Sequence, residues 1–256
     1  MSDSLPSYSS AHYQQTVDEV SRREASEAIV PLLQQIVMPT SVIDVGCGRG
    51  TWLATFVARG VADIMGVDSP HMDVETLFFP PERFLGIDLE RPFSIGRTFH
   101  LALSLEVAEH LPEGSAKEFV RSLTRLAPVV AFSAAIPFQG GDHHVNEQWP
   151  SYWAKLFEAQ DYSPIDCLRR DIWRLGLNAW WYAQNLILYV SQSHLETHER
   201  LEKLADEPGW VPISLVHPDC YMQWVNAGTH PSGRQGIAAI LAASRRRMRN
   251  LLARDS

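Results

Sequence analysis

Apolar residues recur at helical spacing near the start of the chain. Val17, Val20, Ala28, Ile29, Leu32, Leu33 and Ile36 predict one buried stripe on a helix over residues 13–37. Short continuous apolar runs follow at 41–45, 63–68, 84–88, 99–105 and 129–137, and they predict buried strands. Helical patterns lie between several of them, beginning at Thr51 with Trp52, Phe56 and Val57, and again over 114–126. This alternation predicts a doubly wound, mostly parallel sheet. Further on, WPSYWAKLFEAQ predicts a helix, and SPIDCLRRDIW and WWYAQNLILYV predict two late strands.

Beyond residue 192 the pattern changes. Residues 194–204 look helical, EPGWVP breaks the run, and a helix is expected again over 214–228. The last stretch sets Ile237, Ile240, Leu241, Met248, Leu251 and Leu252 at helical spacing beside Arg245, Arg246, Arg247 and Arg249, which read as a solvated helix face. Three regions are therefore expected. They are a mobile, Ser-rich segment at 1–12, a main domain at 13–192 and a helical extension at 193–256 packed on the core.

The most informative stretch is SVIDVGCGRGTWL, residues 41–53, where a buried strand ends in an acid and Gly46, Gly48 and Gly50 precede a helix. Glycines at such a turn let the backbone approach a ligand closely, and free helix N–H groups can meet an anion. Three more strand ends carry acids in order. Asp68 lies about twenty residues past the glycines, a spacing suited to a ribose. Asp88 ends the third run, and Glu106 ends the fourth in the string EVAEHL.

Taken together, these segments resemble the class I S-adenosylmethionine-dependent methyltransferases, in the branch with D-V-G-C-G-x-G and E-V-x-E-H-L. The resemblance covers residues 40 to about 190. It implies a Rossmann-like α/β fold with a seven-stranded sheet whose last strand runs antiparallel. It also implies that Asp44, Gly46, Cys47 and Gly48 line the methionine end of the cofactor and that Asp68 holds its ribose. Ser69, Asp88 and Leu89 would flank the adenine, while Glu106 and Val107 would close the methionine side.

Composition narrows the setting. The chain has 256 residues, 45% of them hydrophobic and 20% charged, which suits one α/β domain with additions. A formal charge of −8 argues against a surface built to grip nucleic acid. Cys47, Cys167 and Cys220 are too few and too widely spaced for a disulfide framework or a zinc cluster, and they suit a reducing, cytoplasmic setting. No apolar run reaches the length of a membrane span.

The acceptor side is expected in IPFQGGDHHVNEQWPSYW, residues 136–153, beyond the carboxyl end of a central strand. His143 or His144 is the expected base for an acceptor hydroxyl, with His110 a further candidate beside Glu109. Asp142, His143, His144 and Glu147 also have the donor types for a divalent cation, but metal assistance is not the favoured expectation. Cys47 is not expected to act as a nucleophile, because no base is placed beside it. The expected reaction is methyl transfer from S-adenosylmethionine, leaving S-adenosylhomocysteine, to a hydroxyl of a small sugar or natural-product acceptor. The alternatives are an RNA or protein methyltransferase and an inactive, cofactor-binding partner subunit. A homodimer is left open.

Overall fold

The structure, a computed structural model, describes residues 10–206 and 213–229, with side chains over 19–206 and 213–225. The segment at 1–9 and the arginines at 245–249 lie outside the described residues. Two compact units are present, one ending at Leu215 and one beginning at Val216.

Within the first unit, helix α1 (Ser10–Val37) leads into β1 (Ser41–Val45), followed by α2 (Thr51–Ala58), β2 (Asp63–Asp68) and β3 (Phe84–Gly86). Strand β4 (Leu101–Leu105), α3 (Ala116–Thr124), β5 (Val129–Ser133) and α4 (Pro150–Glu158) come next. The unit then runs through β6 (Tyr162–Ile165), α5 (Arg169–Leu175), α6 (Trp181–Asn185), β7 (Ile187–Ser191), α7 (Gln192–Leu195) and α8 (Glu199–Asp206). The second unit contributes one described helix, α9 (Pro218–Thr229).

The seven strands form one sheet in the order β3-β2-β1-β4-β5-β7-β6. Pairing is parallel from β3 to β5, and β7 runs antiparallel to both β5 and β6. This is the Rossmann-like arrangement expected, with one reversed strand. Chain order turns back on itself between β1 and β4, and the carboxyl ends at such a switch point open a crevice for ligands.

Alternation along the strands explains why both faces are covered. Val42, Leu101, Leu103, Val129 and Ala131 face one core, which α1, α2, α5 and α6 close. Ile43, Val45, Ala102, Val130 and Phe132 face the other, under α3 and α4. In α3 the buried positions Ala116, Phe119, Val120 and Leu123 fall on one stripe, as a helix lying on a sheet requires.

Two expectations are corrected. The stripe of α1 that is buried runs through Ala25, Ile29, Val30 and Leu33, whereas Val20 is exposed. The late strands are shorter than their apolar runs. Only Tyr162–Ile165 and Ile187–Ser191 are extended, while Arg169–Leu175 and Trp181–Asn185 are helical. The cause lies in Arg169, whose buried guanidinium binds Asp166 three residues back and the carbonyls of Gln184 and Ile213. Those bonds need compact backbone on both sides of the hairpin.

Candidate active site

At the end of β1 the chain enters the glycine turn through two bonds to β2. The N–H groups of Gly46 and Cys47 both donate to the Val67 carbonyl, at 2.7 and 3.1 Å. Gly46 adopts φ 82°, and a Cβ there would run into the side chain of Val107, the residue after Glu106. Gly50 adopts φ 84° at the start of α2, where a Cβ would strike the Phe79 ring. Both positions therefore require glycine for conformation and for space.

The acids expected at the cofactor gather around this turn. Asp68 at the end of β2 accepts from the Gly48 N–H at 2.7 Å and from the Ser69 N–H at 2.6 Å. A carboxylate keeps acceptor capacity beyond two such bonds, so Asp68 can still meet ribose hydroxyls. Asp44 is buried under the turn, and its Oδ2 has no hydrogen-bond partner. Burial, and then the charge of Asp68, push its pKa up to about 8, while Arg22 of α1 pulls it down. Burial and the same two carboxylates also push the Cys47 thiol up, so it stays protonated and is no nucleophile.

Asp88 caps a turn after β3. It accepts from the Glu90 N–H at 3.0 Å and lies 3.2 Å from Arg91 Nε, while Leu89 beside it is buried. Glu106 leaves β4 with φ 55°, an uncommon conformation for this residue type, and its N–H donates to the carbonyl and the hydroxyl of Ser133. Its carboxylate accepts from Gln139 Nε2 at 3.0 Å and from Asn185 Nδ2 at 3.1 Å. Gln139 Oε1 in turn accepts from Asn185 at 2.9 Å and Gln184 at 3.0 Å. Burial pushes Glu106 upward, and these amide donors oppose it.

The acceptor loop docks on the turn that follows β4. The Glu109 carbonyl accepts from the Val145 and Asn146 N–H groups, at 2.9 and 3.0 Å, and so brings His144 beside His110. The two rings pack edge to face with centroids 4.8 Å apart. His144 Nδ1 lies 3.0 Å from Glu147 Oε1, and the Glu147 carboxylate also accepts from the Phe138 and Gly140 N–H groups. Burial, followed by the charges of His144 and His143, holds the His110 ring below the usual histidine range. His143, by contrast, has an exposed side chain and φ 59°, and Asp142 is exposed too.

Three features of the candidate site escape a reading of the string alone. Glu109 is completely buried beside Glu106, while Gln139, Gln184 and Asn185 wrap the Glu106 carboxylate. The polar pair Gln184–Asn185 inside the apolar run WWYAQNLILYV is the signal that marks them. Arg22, facing Asp44 and His110 from α1, carries no such mark.

A family model described as "Methyltransferase domain" matches residues 13–183, and the chain belongs to that family. No curated protein matches the sequence significantly. Among solved structures, magnesium protoporphyrin IX methyltransferase (ChlM) from Synechocystis PCC 6803 with bound SAH is 15% identical, with a TM-score of 0.54 over 74% of this chain and 90% of that one. DesVI of Streptomyces venezuelae is also 15% identical, with a TM-score of 0.53 over 73% and 100%. The SAM-bound amino pentose methyltransferase CalS10 from Micromonospora echinaspora is 14% identical, with a TM-score of 0.51 over 74% and 100%. At these identities the likeness is one of fold. It is the fold of the class I S-adenosylmethionine-dependent methyltransferases.

Proposed function

We propose that this chain methylates a hydroxyl oxygen of a small acceptor, a sugar or natural-product scaffold, and that the acceptor's proton is lost at the His110–His144–Glu109 cluster. Methylation dependent on S-adenosylmethionine follows from the family and the fold. The oxygen acceptor is supported by one observation in particular. Two imidazoles, His110 on the turn that follows Glu106 and His144, bound to Glu147, on the loop docked against that turn, meet beyond the carboxyl end of a central strand.

Residues at the glycine turn fit the cofactor. Asp44 offers a buried carboxylate oxygen with no partner, suited to a cationic amino group or sulfonium. Gly46 and Gly50 are required by Val107 and Phe79 packed against them, whereas Gly48 has open space where a Cβ would stand and leaves the backbone free for close approach of the cofactor. When bound, S-adenosylmethionine supplies an electrophilic methyl on a positively charged sulfur. The chain's own residues then have two tasks. Asp44, Gly46, Cys47, Gly48, Asp68, Ser69, Asp88, Leu89, Glu106 and Val107 hold and orient the donor, with Asp68 on the ribose. Such positioning lowers a barrier by up to about 7–11 kcal/mol in ideal cases. An imidazole neutral at pH 7 can take the hydroxyl proton, which is worth about 10²–10⁴-fold.

Amino pentose and magnesium protoporphyrin methyltransferases among the similar structures illustrate small acceptors on this fold. Every residue named for the reaction lies in the unit that ends at Leu215. The test is conversion of S-adenosylmethionine to S-adenosylhomocysteine across a panel of hydroxylated small molecules, with RNA and peptides as competing panels. Turnover restricted to RNA or peptides would overturn the small-molecule reading.

A further inference from the structure

We propose that Glu109, His110 and His144 form a binding site for one divalent first-row transition-metal cation, with Glu147 as the group that orients His144. This inference rests on the methyl-transfer reading and deepens it by naming what activates the acceptor oxygen.

Each residue offers one ligand atom, and all three atoms lie within 4.8 Å of one another. Ligands around a single ion with bonds of 2.0–2.2 Å stand about 3.4 Å apart in tetrahedral geometry, so small side-chain rotations close the gap. Two imidazoles and one carboxylate suit zinc, manganese, iron or cobalt better than magnesium or calcium, which prefer oxygen alone.

Glu109 supplies an independent observation. Its side chain is fully buried, no N–H or O–H group donates to either carboxylate oxygen, and the group beside it is the Glu106 carboxylate, which can bond it only through a shared proton. The main-chain N–H groups of Glu109 and Ala135 lie nearby without reaching either oxygen in bonding geometry. An acid in that position costs stability unless something polar meets it, and a carboxylate with two imidazoles beside it is a setting that a cation completes.

The surroundings match what metal-bound histidines need. A ligating imidazole donates its other N–H to a carboxylate or a carbonyl, which fixes its tautomer. His144 points Nδ1 at Glu147 at 3.0 Å and leaves Nε2 for the ion. The main chain of His143 also lies close to the His110 ring. Glu147 is already committed to His144 and to the Phe138 and Gly140 N–H groups, so it orients rather than ligates. Gly141 completes the fit, since a Cβ there would strike the His144 ring. The metal set considered from sequence, Asp142, His143, His144 and Glu147, thus gives way to one that shares only His144.

Three protein ligands leave a position for the acceptor's oxygen. With a cation bound, His110 and His144 would serve as ligands in place of the base role given above, and coordination would lower the pKa of the acceptor hydroxyl so that its proton passes to water. The oxygen then bonds to the methyl carbon, and the carbon–sulfur bond breaks with its electron pair on sulfur.

The experiment uses the full chain, stripped with a chelator and titrated with Co²⁺ while visible absorption and calorimetry are recorded. One equivalent is expected to bind with ligand-field bands. Glu109→Gln and His144→Ala should each abolish those bands, and Glu147→Gln should weaken affinity about 10–100-fold. Glu109→Gln is close to isosteric, and an unchanged circular dichroism spectrum and melting temperature show that it folds. Absence of stoichiometric Co²⁺ binding in the wild type, or equal binding in all three variants, overturns the site. Calorimetry with S-adenosylhomocysteine runs in parallel. Cofactor binding without Co²⁺ binding sinks the cation alone, whereas Co²⁺ binding without cofactor binding sinks the methyl-transfer reading.

Discussion

Asp68 accepts a hydrogen bond from the main-chain N–H of Gly48 at 2.7 Å, twenty residues apart, so the acid expected to hold the ribose also fastens the glycine turn. Asp68→Ala is expected to weaken S-adenosylmethionine and S-adenosylhomocysteine equally, because both carry the ribose. Hydrogen bonds to a charged group contribute about 1.5–3 kcal/mol, or roughly 10–150-fold in affinity. Calorimetry with both ligands checks this, and an effect on only one of them would contradict the assignment.

Asp44 makes cofactor binding depend on pH. Its folded-state pKa is raised from 3.8 to about 8 by burial, so the apo protein holds it protonated at neutral pH. A raised value means that the residue favours the folded chain most below about pH 4 and progressively less as pH rises toward 8. Binding of a cationic cofactor draws the carboxylate form, so affinity should climb up to about pH 8 and then level off. Asp44→Asn should flatten that climb, and a titration series by calorimetry at several pH values measures it.

Gly46→Ala places a methyl group against Val107 in a backbone conformation that L-residues disfavour. The expected result is a loss of about 1–3 kcal/mol in stability together with lost cofactor binding. Thermal melting with and without S-adenosylhomocysteine reads both. A variant that melts like the wild type and still gains stability from the ligand would show that the turn can move.

His143 and His144 are neighbours in sequence but should behave differently. The first side chain is exposed, and the second packs on His110 and binds Glu147. His144→Ala is expected to lower turnover by about 10²-fold or more with cofactor affinity retained, while His143→Ala stays near wild type. Initial-rate measurements on one active acceptor decide it.

Arg169→Met tests the hairpin. It would strand Asp166 and the carbonyls of Gln184 and Ile213 in or near the interior. Breaking a buried charge pair on one side costs about 3–5 kcal/mol. Urea denaturation should show a lower midpoint with an unchanged slope.

These residues also show how much the string reveals. Strand-end acids and glycines are legible because their chemistry depends on position within one local βα unit, and Asp44, Gly46 and Asp68 all meet at one turn. The late hairpin misleads because aromatic, β-prone residues such as Trp181 and Tyr182 fold as a helical turn once tertiary bonds from Arg169 claim the Gln184 carbonyl. Likewise, which histidine faces the cleft depends on two main-chain bonds to Glu109, contacts more than thirty residues apart that no periodicity encodes. Burial of Glu109 is hidden for the same reason.

Strand β7 fits between β5 and β6, although it is made after both. A nascent chain that has reached only residue 186 thus has β5 with an open edge and β6 without a neighbour to pair with. The ribosome must release Ile187–Ser191 before the sheet can finish, and until then the Val129–Ser133 edge is a template for foreign strands. Fragments ending before Ile187 should therefore accumulate as aggregates even though every glycine and acid of the cofactor turn has already been synthesised.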